Sequence, residues 1–175
     1  MNPPTAEAES IGVLARTGTW TIDAVHSTIA FQVRDKRQMI ATIRGRFTDY
    51  EGTLEAGPEP RVRVAIQAAG LTTDSENRDR HLRSADFLDV AEHPVIRLAS
   101  DTIVEGDDGR IHMTGSIDIK GVRQPLELEG TVLGCGTDRY GNDRVAIEAR
   151  GDLLFGPMPV ALVADISFVS EGSTS

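Results

Sequence analysis

Residues 111–119 read IHMTGSIDI, and this stretch decides the fold. Ile111, Met113, Ile117 and Ile119 fall on one side of a two-residue repeat, with His112, Thr114, Ser116 and Asp118 on the other. A pleated strand turns successive side chains to opposite faces, so the pattern is that of a half-buried strand. The same period recurs outward along the chain. Ile29, Phe31 and Val33 oppose Thr28, Ala30, Gln32 and Arg34, and Val62, Val64 and Ile66 oppose Arg61, Arg63 and Gln67. Further candidates are 39–48 continuing at 50–55, then 95–104, 124–133, 144–154 and 160–169, which brings the count to roughly eight strands by the period-two criterion. Asp107-Asp108-Gly109, Lys120-Gly121 and Tyr140-Gly141-Asn142 supply turn residues between them. Neighbours in sequence are therefore expected to pair antiparallel, in an all-β barrel or sandwich.

One segment breaks the rhythm. Between 72 and 92 the alternation stops, and Thr73 with Glu76 three residues on predicts a capping box opening a short helix, in an insert near residues 74–91. Ser84 is expected to cap a second turn. On the helix Asn77 and His81 are four apart, as are Asp79 and Arg83, so each pair can share a face. Phe87, Leu88 and Val90 supply the apolar anchor of the insert. Residues 1–16 follow neither period and are rich in Ala, Glu and Pro, the composition of a tail or loosely attached arm. The barrel domain is expected over 17–171.

Composition bounds the function. A chain of 175 residues fits one domain with a sizeable core. Its 18 Lys and Arg against 27 Asp and Glu leave a formal net charge of -9, whereas nucleic-acid binding needs a cationic face, so no nucleic-acid partner is expected. The same balance disfavours docking on anionic lipid by charge alone. Cys135 stands alone, without CxxC or Cys/His spacing, and is expected as a reduced, partly buried thiol. The opening MNPPTAEAES lacks the basic and apolar regions of a secretory signal, and no apolar run reaches membrane-spanning length, so the expectation is a cytoplasmic protein with no transmembrane segment. His26, His81, His93 and His112 show no HxH or HExxH spacing, and neither a metal site nor a cofactor is expected. Only 5% of residues are aromatic, which leaves few large rings to fill the middle of a closed sheet of this size, so that a tapering apolar tunnel and a tightly filled aliphatic core are both open.

Six blocks occur in order: WTIDAVHS (Trp20–Ser27), FQV (Phe31–Val33), IRGRFTDYEGTL (Ile43–Leu54), RDRHLRSADFLDV with a following His93-Pro94 (Arg78–Pro94), IDIKGVRQPLEL (Ile117–Leu128) and ARGD (Ala149–Asp152). In these, over roughly Gly18 to Ser170, the chain resembles the YceI-like family, whose members adopt an extended lipocalin-like barrel and bind polyisoprenoids, isoprenoid quinones or other long amphiphiles. The resemblance implies an eight-stranded antiparallel lipocalin-like barrel and a long-chain lipid as partner. It also implies pairing into homodimers, for which outward aliphatics such as Val163 and Val169 are candidates. The chain departs from the family at Asp35, where His is usual, and at Leu88 and Leu153, where Phe is common, so the pocket is expected to differ in shape.

Binding of a tail follows from transfer energetics. Each buried CH₂ contributes about 0.8 kcal/mol, so ten methylene equivalents yield on the order of 8 kcal/mol before ordering costs. The wall candidates are Ile29, Phe31, Val33, Phe47, Val64, Ile66, Ile96, Leu98, Met113 and Ile117, taken from alternate strand positions. Phe87 and Leu88 are placed at one end as a gate. The resemblance marks Arg78, Asp79 and His81 as the polar group at the mouth, facing a headgroup or holding the helix to the barrel. Asp23, His26 and Ser27 have the residue types of a hydrolytic trio, but their short spacing favours a structural hydrogen-bond corner. Trp20 is expected to plug a barrel end. The leading expectation is a non-catalytic carrier or storage protein for a polyisoprenoid or similar lipid. The alternatives are an enzyme acting on such a lipid with Asp79 and His81 as acid and base, and a stress-linked module whose acidic face meets a protein.

Overall fold

The computed structural model describes residues 14, 17–34 and 42–171. Asp35, positions 39–41 of the third expected strand and all of the expected tail except Leu14 lie outside the described residues. Among the described residues eleven strands form: β1 (Gly18–Ile22), β2 (Thr28–Arg34), β3 (Thr42–Phe47), β4 (Tyr50–Ala56), β5 (Arg61–Gln67), β6 (Leu71–Thr72), β7 (Val95–Glu105), β8 (Arg110–Ile119), β9 (Val122–Thr137), β10 (Asp143–Phe155) and β11 (Met158–Ser170). The ring β1-β4-β5-β7-β8-β9-β10-β11 returns to β1 and closes an eight-stranded antiparallel barrel.

The remaining strands continue ribbons of this ring. β11 pairs β2 from Val160↔Val33 to Asp165↔Thr28 and then β1 from Phe168↔Ile22 to Ser170↔Trp20, so β1 and β2 are one ribbon interrupted by a 3₁₀ turn at Ala24–His26. β4 with β3, and β5 with β6, repeat the arrangement beside it. Expected strand 29–34 thus has a collinear predecessor, β1, that the alternation alone left unassigned.

The interruption is chemical. Asp23 accepts from the Val25 amide at 3.0 Å and meets His26 Nδ1 at 2.7 Å, while Arg144 Nη1 donates to its carboxylate at 2.8 Å. Ser27 Oγ donates to the Asp23 carbonyl at 2.6 Å and accepts from the Ser167 amide at 2.9 Å. With both its bonds made to the main chain, this serine is part of a structural corner, as the spacing indicated. Hairpins form where Gly punctuates the chain. Lys120 (φ 52) and Gly121 (φ 72) give the two left-handed residues that a two-residue β8–β9 turn requires.

Two ends result. At one, Leu14, Trp20, Leu54, Ala56, Val145 and Phe168 pack into a separate apolar cluster, with Trp20 7% exposed, and form a floor. At the other, the residues linking β6 to β7 form the expected insert, in which α1 spans Glu76–Arg83. The capping box does not form: Ser75 is the N-cap and makes no side-chain cap bond. Thr73 is drawn away because its amide and hydroxyl both donate to the buried Asp79 carboxylate, at 2.8 and 2.5 Å. Ser84 caps the C-terminus of α1, donating to the His81 carbonyl at 2.6 Å, and its own carbonyl accepts from the Phe87 and Asp89 amides to start the next turn. Cys135 is exposed rather than partly buried. Pairing of β9 with β8 ends at Thr131↔Arg110, so among the described residues the end of β9 pairs with β10 alone.

Candidate functional site

Because the inward faces of the barrel are almost wholly aliphatic, their side chains leave a channel. A cavity of about 220 Å³ runs from Phe155 and Met158 at the insert end to Leu14, Leu54 and Phe168 at the floor, and each residue lining it is apolar or glycine. An apolar cavity of about 150 Å³ already stays dry and accepts benzene, whereas pockets for drug-sized ligands run to about 300–1,000 Å³. The resting bore is therefore narrow and oily.

The twelve apolar candidates all stand on this wall. β2 contributes Ile29, Phe31 and Val33, β3 Phe47, β5 Val64 and Ile66, β7 Ile96 and Leu98, and β8 Met113 and Ile117, while Phe87 and Leu88 reach it from the insert. The Phe31 and Phe47 rings meet at 5.5 Å with a 46° tilt. Gly45, between them on β3, leaves the room for this, since a Cβ there would lie 2.2 Å from the Phe31 ring. The wall also includes Leu128 of β9, Ile147, Leu153 and Phe155 of β10, and Met158, Val160, Leu162 and Ile166 of β11. Apart from Leu153, a departure from the family pattern, these were not singled out from the sequence, although the alternation from Met158 to Phe168 carried the signal.

The three polar candidates do not line the cavity. Arg78 donates from Nε to Thr73 Oγ1 at 2.8 Å and from Nη2 to the Thr73 carbonyl at 2.9 Å. Asp79 is 5% exposed. Burial pushes its pKa up, but the bonds from the Thr73 hydroxyl and amide, a further one from Thr72 and the charge of Arg83 outweigh this and hold the carboxyl below its ordinary value. His81 faces outward, its ring edge-on to Phe87 at 4.8 Å and its Nε2 3.7 Å from Asp86. Asp79 and His81 thus turn to different partners, and His81 meets the wall residue Phe87. Among the described residues no three His, Cys, Asp or Glu side chains gather as a metal site, and no helix is long and apolar enough to cross a membrane.

The insert is tied down as a cover. Arg83 donates to the Ala69 carbonyl at 3.0 Å and the Leu71 carbonyl at 2.5 Å, fastening α1 to β6. On the opposite side Lys120 Nζ, in the β8–β9 hairpin, donates to the Ala85 carbonyl at 3.1 Å. Between these ties lie Leu82, Phe87 and Leu88, all on the cavity wall.

Comparison with known proteins follows this geometry. The YceI-like domain model matches residues 20–161. A UPF0312 protein of Pectobacterium atrosepticum is 34% identical over 73% of the chain and 67% of its own length. Protein YceI of Escherichia coli O157:H7 is 37% identical over 62% of the chain, and the match spans only 59% of that protein. Among solved structures, Burkholderia cenocepacia BcnA superposes with a TM-score of 0.72 at 14% identity, covering 83% of the chain and 98% of BcnA. A polyisoprenoid binding domain from Saccharophagus degradans gives a TM-score of 0.63 at 14% identity, covering 86% of the chain and 98% of that domain. At these identities the two structures share the fold.

Proposed function

The chain belongs to the YceI-like family, and on that premise we propose that it binds a long-chain amphiphile, a polyisoprenoid or isoprenoid quinone, with the tail in the barrel and the headgroup at the mouth. The observation that carries this reading is the apolar cavity of about 220 Å³, lined by residues from the insert to the floor. The polyisoprenoid binding domain of like fold supports the choice of ligand class. The protein acts by holding the tail away from water, for carriage or storage, and performs no chemistry on it. Asp79, clasped by Thr73, and His81, turned toward Asp86, do not face one substrate atom as an acid and base must. Arg78 and Asp79 secure the start of the insert, and His81, edge-on to Phe87, is the polar candidate nearest the headgroup. The exposed, unpaired Cys135 suits a reducing compartment, the cytoplasm.

Protein purified without detergent should release a prenyl or comparable long-chain lipid into organic solvent, identifiable by mass spectrometry. After delipidation it should take up a prenylated quinone. Failure of both retires the carrier reading. His81→Ala should keep most of the tail affinity, whereas loss of turnover of a lipid substrate with binding intact would favour an enzyme.

A further inference from the structure

The bore ends at a floor, and the floor has a removable part. Of the six residues in its cluster, Leu14, Leu54 and Phe168 also line the cavity, while Trp20, Ala56 and Val145 stand behind them. Leu54 and Phe168 belong to barrel strands. Leu14 does not: it precedes β1 and lies outside the segment matched by the family. It is nonetheless held on both sides, its amide donating to Glu105 Oε2 at 3.0 Å and its carbonyl accepting from the Gly57 amide at 2.9 Å. These bonds reach the end of β7 and the β4–β5 turn, and between them the Leu14 side chain is 3% exposed.

We propose that Leu14, seated with Leu54 and Phe168, is the stop that fixes how long a tail the barrel takes. The proposal rests on the amphiphile reading and adds a length to it. From Ile147 above the floor to Phe155 at the mouth, β10 advances by eight residues. At about 3.3 Å per residue and a tilt of about 40° this is on the order of 20 Å of bore. An extended chain advances about 1.2 Å per bond, which sets the fully buried tail at about sixteen bonds, or about four isoprene repeats. Carbons beyond the stop remain in water at the mouth and add no affinity, because only area removed from water contributes.

The test uses full-length protein, delipidated, with linear prenols of rising length, from geraniol through farnesol and geranylgeraniol to solanesol, presented from cyclodextrin and read by native mass spectrometry. Wild-type affinity should rise by about tenfold or more per repeat and break at geranylgeraniol. Leu14→Ala should move the break to a longer prenol, Leu14→Trp to a shorter one, and Leu14→Met should leave it in place. If the alanine variant melts too low to assay, the tryptophan and methionine variants still have different expectations. Uptake by all variants with one shared break overturns the stop and leaves the carrier reading standing. No uptake of any prenol by the wild type overturns the carrier reading, and the stop with it.

Discussion

Gly45 shows how one missing side chain shapes the bore. It faces inward on β3 opposite Phe31, and any Cβ would push the Phe31 ring out of its place beside Phe47 and into the channel. Gly45→Ala should therefore cost about 1–3 kcal/mol in denaturant unfolding, as overpacking does, and lower prenol affinity by tenfold or more. An alanine variant that binds as well as wild type would mean that the tail does not pass Phe31. Asp79 makes the complementary case. Its carboxylate is buried and accepts both donors of Thr73, so Asp79→Asn, which replaces one acceptor oxygen by a donor, should cost about 1–3 kcal/mol. Because the folded-state pKa lies below the ordinary carboxylate value, the stabilisation from this group is present above the unfolded pKa of about 3.9 and lost as pH falls through the folded value. The asparagine variant should accordingly show a shallower loss of melting temperature between about pH 5 and 2.

Among elements, the insert covers one end of the bore. It is fixed on the β6 side by Arg83 and on the β8–β9 side by a single exposed bond from Lys120 to the Ala85 carbonyl. Asp89, with φ 49, bends the chain after these ties and presents its carbonyl to the Glu92 and His93 amides. Lys120→Met severs the weaker tie without touching the core. Stability should change by less than about 0.5 kcal/mol, while dissociation of a bound prenol, followed by transfer to vesicles, should speed up several-fold. An unchanged off-rate would show that the tail leaves by another route. The β9–β10 turn is held differently: Asp138 takes Arg144 Nε at 2.6 Å together with the Tyr140 and Asn142 amides. The Arg144 guanidinium first, and the Asn142 amide after it, hold the Asp138 carboxyl far below the usual carboxylate range. The other end of Arg144 reaches Asp23, so one side chain joins this turn to the corner between β1 and β2.

For the whole molecule, ligand and fold are linked. A tail that binds only the closed barrel stabilises it by mass action, about 2.7 kcal/mol at a free concentration one hundred times Kd. Delipidated protein should melt lower than protein as purified, and added prenol should restore the difference. A melting temperature indifferent to prenol would argue that the barrel interior is not the site. Acid should weaken the molecule as a unit. Asp23, where burial pushes the pKa up but the bonds from Arg144 and His26 outweigh it, joins Asp79 and Asp138 in lying below the ordinary carboxylate value. All three contributions fade as pH falls below about 4.

What the residues alone determined was mostly local. The pleat has a period of two and each turn is a few residues long, so the alternation at 28–34, 61–67 and 111–119 named inward side chains that do line the bore, and Lys120-Gly121 named its hairpin. Barrel as against sandwich, an open channel as against a filled one, and the floor itself were decided in three dimensions. Closure depends on β1 meeting β11, the corner on Asp23 meeting Arg144 across 121 residues, and the stop on Leu14 meeting Glu105 across 91. Thr73 illustrates the same division: its spacing to Glu76 fits a cap, but the buried Asp79 competes for its donors and wins, because an unpaired carboxylate in the interior costs more than an unfilled cap at an exposed helix end. Local sterics can be read along a chain, whereas contacts between distant segments and the space they leave exist only once the sheet has closed.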